Sequence, residues 1–199
     1  MGALTAGTVE PVAEAGAAVA TKVRLATVWL GGCSGCHMSF LDTDEWLIEL
    51  AQLVDVVYSP IADVKEFPEN VDIALVEGAV ANEEHLELIH QVRERSKVVV
   101  SFGDCAVTGN VTAMRNPLGK ASSILQYVYV EAPKLQGPVP SEPGIVPVLL
   151  DRVEPVHEVI DVDFYIPGCP PPAPRIRAAL EQALTTRAVR LQGRDLNFG

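Results

Sequence analysis

Basic side chains are scarce in this chain: 15 Lys and Arg stand against 26 Asp and Glu, a formal charge of −11 over 199 residues. That balance, with no basic stripe anywhere, excludes a nucleic-acid groove. No apolar run approaches the roughly 18 residues that a membrane span requires, although 48% of the residues are hydrophobic, so no membrane association is expected. Neither a Walker phosphate loop nor a GxGxxG dinucleotide fingerprint is present, which argues against direct NAD binding by this chain. Residues 1–21 hold no lysine or arginine, no compact Leu-rich stretch and no twin arginines. They make a poor export signal and read as a mobile N-terminal arm, which puts the expected location in the cytoplasm.

What is present is an alternation of strand and helix patterns from residue 22 to 199, long enough for a single core. Lys22–Leu30, Val54–Tyr58, Asp72–Val76, Lys97–Phe102 and Val159–Ile166 read as buried strands. Between them the spacing predicts a helix from His37 to about Leu53, with Phe40, Leu41, Leu47, Ile48 and Ala51 on one face. A second helix, capped by Asn82, presents Leu86, Ile89 and Val92, and a last one presents Ile176, Ala179, Leu180, Ala183 and Leu184. Strands alternating with helices predict an α/β fold: a doubly wound, mostly parallel sheet of flavodoxin-like type. Residues 112–158 break the rhythm. They are rich in Pro and Gly, show one possible short helix at Ala121–Tyr129, and read as an excursion that contacts a partner.

The chain has four cysteines, and each follows a predicted strand: Cys33 and Cys36 the first, Cys105 the fourth, Cys169 the last. In a parallel sheet the loops leaving the carboxyl ends meet along one edge, where ligands bind, so these residues are expected to converge. In a reducing compartment that favours metal ligation or redox chemistry over structural disulfides. Spacing alone leaves open a thioredoxin-like Cys33/Cys36 dithiol, a structural zinc site, and ordinary buried thiols. An iron–sulfur cluster suits the set better. Gly31, Gly32, Gly35, Gly103 and Gly168 let backbone amides approach an anionic core, and Cys169-Pro170 repeats the ending of ferredoxin ligand runs.

The run from Cys33 to Glu45 (CSGCHMSFLDTDE), with VEG at Val76–Gly78, GDCA at Gly103–Ala106 and PGCPP at Pro167–Pro171, resembles the small subunit of nickel–iron hydrogenases. The likeness covers about residues 22–185 and is strongest to the short small subunit of cytoplasmic, NAD-reducing (bidirectional) hydrogenases. It implies one proximal [4Fe-4S] cluster held by Cys33, Cys36, Cys105 and Cys169. The nickel–iron centre would belong to a separate large subunit, and FMN and NAD to partners, an iron–sulfur diaphorase subunit and a flavin subunit that reduces NAD. Respiratory and periplasmic small subunits add a twin-arginine signal and a second domain with further clusters, neither seen here. The related quinone-reductase subunit of respiratory complex I has adjacent cysteines where this chain has Cys33-Ser34-Gly35-Cys36. Single-cluster small subunits of membrane-bound hydrogenases share the spacing and remain an alternative, as does a standalone flavodoxin-like or thiol-redox protein.

Among other residues, Glu77 closes a strand on the cysteine edge. Alone it reads as a solvated or capping carboxylate; the VEG match implies a place beside the cluster, with a proton-relay or interface hydrogen-bonding role. His37 reads as a polar residue at a helix start or as a donor to a cluster sulfur. Asp42, Asp44 and Glu45 read as complements to a helix dipole, and Trp29 and Trp46 as core or interface anchors. His85, His90 and His157 show no metal-ligand spacing.

Overall fold

The computed structural model describes residues 21–132, 134, 137–186 and 190–193; the N-terminal arm expected at residues 1–21 lies outside them but for Thr21. Strand β1 (Val23–Trp29) leads through the first cysteine loop into α1 (Gly35–Leu41) and α2 (Trp46–Leu53), then β2 (Val54–Tyr58) and β3 (Val71–Glu77). A short β4 (Val80–Asn82) precedes α3 (Glu83–Arg95) and β5 (Ser96–Phe102). Next come α4 (Asp104–Thr108), α5 (Asn110–Ala113), α6 (Ala121–Leu125), β6 (Leu149–Glu154), β7 (Phe164–Ile166) and α7 (Ala173–Thr186). The main sheet runs β2-β1-β3-β5-β7 with every pair parallel. That is the flavodoxin-like order, in which chain direction across the sheet reverses beside the first strand.

Successive side chains of a strand face opposite sides, and here each side meets its own helices. Leu25, Ile73, Leu75, Val100 and Phe102 pack with Trp46, Leu50, Ile176 and Leu180 on one face. Ala26, Val28, Ala74, Val76 and Val99 pack with Ile89 and Val92 on the other. A sheet covered on both sides explains why its strands are almost continuously apolar. Each such Val, Leu, Ile or Phe removed from water contributes about 1.5–3 kcal/mol before entropy is counted.

Several sequence expectations are corrected. The single helix from His37 to Leu53 is two helices, broken at residues 42–45, where Asp44 takes a positive φ of 51° and the Thr43 hydroxyl donates to Phe40 O at 2.7 Å. Short polar side chains that bond their own backbone compete with the helix in this way. The break turns α2 so that Trp46 and Leu50 are buried, while Leu41, Ile48 and Ala51 face outward. Asp42 therefore closes α1 rather than opening a helix.

The last strand is also shorter than the β-branched run at Val159–Ile166 implies. The Asp163 carboxylate accepts the Val99 amide at 2.7 Å and Arg93 Nη1 at 2.7 Å. A side chain thus occupies a donor that a strand carbonyl would take, and the parallel pairing begins only at Phe164. Within 112–158, β6 pairs antiparallel with β4 as a separate two-stranded sheet, a pairing between segments too far apart for local periodicity to reveal.

Candidate metal centre

Every sequence-predicted ligand lies at the carboxyl edge of the main sheet. Cys33 and Cys36 follow β1, with Cys36 in the first turn of α1; Cys105 sits in α4 directly after β5, and Cys169 in the loop after β7. All four are free thiols; Cys36 and Cys105 are buried, Cys33 and Cys169 exposed. Burial pushes the Cys36 thiol far above its ordinary range, and negative charge on Glu77, Cys105, Cys33 and Cys169 adds to the effect. Cys105 is also raised, by burial first and further by Cys169 and Cys33, while the nearby Thr112 side chain and the Val111 amide pull the other way. The thiols thus share one electrostatic neighbourhood.

Among the described residues no three or more His, Cys, Asp or Glu side chains are grouped closely enough to hold a single metal ion. A group held by all four thiols would have to span the edge between loops that leave three different strands. Gly103 sets the wall of that space: its φ is +84°, and a Cβ there would stand 2.1 Å from Cys36 Sγ. Gly35 is nearly as confined, with a Cβ position 3.2 Å from Cys33 Sγ.

Buried carboxylates hold the loops in place. Glu77, at the end of β3 and only 2% exposed, accepts from Cys36 N at 3.2 Å and His37 N at 2.9 Å. Its Oε2 also contacts His37 Nδ1, so that ring nitrogen carries a proton toward the carboxylate. The expectation of a solvated carboxylate is corrected: Glu77 is committed to the backbone and ring of the cysteine loop. Since His37 turns Nδ1 to Glu77, its link to the site runs through that carboxylate; Nε2 has no hydrogen-bond partner among the described residues. The imidazole stands edge-on to Trp29, ring centroids 5.2 Å apart.

Asp104 plays the matching part on the far side, accepting Gly168 N at 2.6 Å while its own amide donates to Gly168 O at 2.9 Å. It ties the Cys105 segment to the Cys169 loop. Sequence reading passed over Asp104, although it stands inside the GDCA motif beside a proposed ligand. It also missed Asn110 and Thr112, whose Nδ2 reaches Cys169 Sγ at 3.3 Å and whose hydroxyl donates to Gly31 O at 2.9 Å. Nothing in local sequence marks these two. The Gly31 amide is spent on Ala79 O at 2.9 Å, which removes one donor that a flavin phosphate would need from this turn.

Of the remaining histidines, none joins the cysteines. His85 is half-buried and accepts the Ala81 amide at 3.3 Å, its pKa lowered by burial. Trp46 is a core residue at 5% exposure and Trp29 stands 36% exposed near the site.

Comparison with known proteins decides the lineage. A family model described as "NADH ubiquinone oxidoreductase, 20 Kd subunit" matches residues 33–183. The chain belongs to this family. Within it, the chain is similar to the delta subunit of the NAD-reducing hydrogenase HoxS of Cupriavidus necator, 39% identical over 170 residues, 83% of this chain and 80% of that one. The iron-sulfur subunit of the F420-non-reducing hydrogenase of Archaeoglobus profundus is 33% identical over 181 residues, 82% of this chain and 56% of its own. A crystal structure of an NAD+-reducing [NiFe]-hydrogenase in the H2-reduced state contains a chain 39% identical, with a TM-score of 0.85 over 90% of this chain and 100% of that one.

The resemblance to hydrogenase small subunits drawn from the cysteine motifs, and the flavodoxin-like α/β fold expected with it, are both borne out. The chain spans 50–59% of the length of several curated relatives, the F420-non-reducing hydrogenase subunits of Methanothermobacter, Methanococcus and Methanocaldococcus species. No helix among the described residues is long and apolar enough to cross a membrane.

Proposed function

We propose that this chain is the electron-transfer subunit of an NAD-reducing nickel–iron hydrogenase of the cytoplasm, with Cys33, Cys36, Cys105 and Cys169 binding one proximal [4Fe-4S] cluster. The observation that carries this reading is the convergence of the four thiols at one sheet edge, walled by Gly103 and braced by Glu77 and Asp104. The likeness over the full length of a chain from an NAD+-reducing [NiFe]-hydrogenase supports the NAD branch. When bound, the cluster supplies one-electron relay between a nickel–iron centre on a large subunit and an iron–sulfur and flavin diaphorase module.

The chain's own residues do the rest. Cys36 and Cys105 would ligate from a buried wall, where low dielectric and the Val111 amide bear on the potential. Glu77 fixes the Cys36 and His37 amides, a positioning role that engages both carboxylate oxygens. Free thiols suit a reducing compartment. Large apolar side chains stand exposed around the site, among them Met38, Leu41, Val111 and Met114, as expected of a surface that a large subunit covers. The excursion at 112–158 adds a cavity of about 560 Å³ lined by Leu125, Tyr129, Val146 and Val148, and we assign it to partner contact as well.

Anaerobic purification with whatever accompanies the chain, followed by assay of iron, sulfide, nickel, zinc and flavin, tests the reading. About four iron and four sulfide on this chain, with a nickel-bearing partner and a flavin subunit, is the expected result. Zinc without sulfide, or FMN without iron, would overturn it. The family's description as a quinone-oxidoreductase subunit favours one second reading, a membrane-bound complex I-like assembly, which would bring down a membrane subunit instead.

A further inference from the structure

Residues 109–112 make a cross-brace at the cysteine edge. Gly109 ends α4 with φ +82°, and Asn110 continues in a positive φ of 35°. Left-handed backbone favours glycine, and Asn is among the few other residues that tolerate it. A glycine would fit here at less steric cost, yet the side chain that is present has a use. Asn110 Nδ2 lies 3.3 Å from Cys169 Sγ, a cysteine 59 positions along the chain on a different loop. A thiolate only accepts hydrogen bonds, so the amide nitrogen and not its oxygen must face it.

We propose that Asn110 tunes the cluster's reduction potential by donating a hydrogen bond to the Cys169 thiolate. This rests on the cluster assignment above. Its physical basis is that a donor at a ligand sulfur draws negative charge away from the core and stabilises the reduced, more negative state over the oxidised one. Cys169 is an exposed thiol, where water competes as a donor in the isolated chain. Once a partner excludes that water, a donor fixed on the chain itself keeps the sulfur hydrogen-bonded. Thr112, two residues on, anchors the same segment to Gly31 O at 2.9 Å, which fixes the backbone that carries the amide.

The test is an EPR-monitored redox titration of the anaerobically purified complex carrying Asn110→Gly or Asn110→Asp, with iron and sulfide counted in each. Asn110→Gly keeps the left-handed backbone and deletes the donor. The ratio of reduced to oxidised cluster at a fixed potential should fall about fivefold, the weight of one ordinary hydrogen bond. Asn110→Asp keeps the shape and turns a carboxylate toward the sulfur, so its potential should fall further. Full cluster content with an unchanged potential in both variants would overturn the proposal. Loss of the cluster from Asn110→Gly would overturn it too, making Asn110 a structural latch. A wild-type complex without iron and sulfide on this chain would instead defeat the underlying cluster assignment.

Discussion

At the carboxyl edge of the main sheet Glu77 and Asp104 are buried and bonded to backbone amides; at the amino edge Asp55, Glu69 and Asp72 stand beside lysines and arginines nearer to water, although half-buried Asp72 also accepts the Arg24 amide at 2.9 Å. Glu77 and Asp104 are 2% and 7% exposed and accept amides of the Cys36 and Cys169 loops. At the other end, Lys22 pairs with Asp55 at 3.6 Å, Arg95 with Glu69 at 3.0 Å and Lys97 with Asp72 at 2.7 Å, each pair having one partner at least half exposed. One sheet thus carries two kinds of electrostatics. Exposed pairs lose most of their attraction to solvent screening and side-chain entropy. A buried carboxylate is costly unless every lone pair is engaged, and it fixes geometry when that condition is met. The most deeply buried of these acids are the two that place the cysteine loops.

Mutations should sort accordingly. The largest effect is expected from Gly103→Ala, because the added carbon falls 2.1 Å from Cys36 Sγ at a φ of +84°; near-complete loss of iron from the purified complex would show it. If Gly103→Ala kept its iron, the wall of the site would be elsewhere. Glu77→Ala comes next. It strips the acceptor from the Cys36 and His37 amides and should destabilise by about 3 kcal/mol with partial cluster loss, read by denaturation and iron content, with Glu77→Gln milder.

Asp104→Ala removes the Gly168 amide's partner and should cost about 2 kcal/mol, again with weakened iron retention. At the amino edge, Lys97→Ala should cost less than about 1 kcal/mol and leave iron content and electron transfer unchanged. A Lys97→Ala penalty as large as that of Asp104→Ala would erase the contrast between the two edges.

Much of the sheet was legible in the sequence because burial on both faces leaves plain apolar runs, and Val54–Tyr58 and Lys97–Phe102 needed little else. Cysteines after three of the strands were enough to locate the candidate site, since topology alone carries strand ends to one edge. What escaped was set by side chains bonding to backbone. Asp44 and Thr43 broke a helix that periodicity continued, and Asp163 took the place of a strand residue. The β4–β6 pairing and the reach of Asn110 to Cys169 depend on contacts between distant segments, which no local pattern encodes. Glu77 was visible as a strand-end acid, but its burial depends on His37 and the Cys36 turn closing over it.

The order of the strands also bears on biosynthesis. Cys169 arrives with β7, the last strand of the main sheet, which pairs with β5 at its border. Domains form from the amino terminus as the ribosome extends the chain, and contacts between remote segments are the slow ones. A nascent chain halted before β7 would present three of the thiols and lack the fourth. On the proposed ligation by all four thiols, a complete ligand set is reserved for chains whose translation has passed the last strand, and metal loading would double as a check that the sheet was finished.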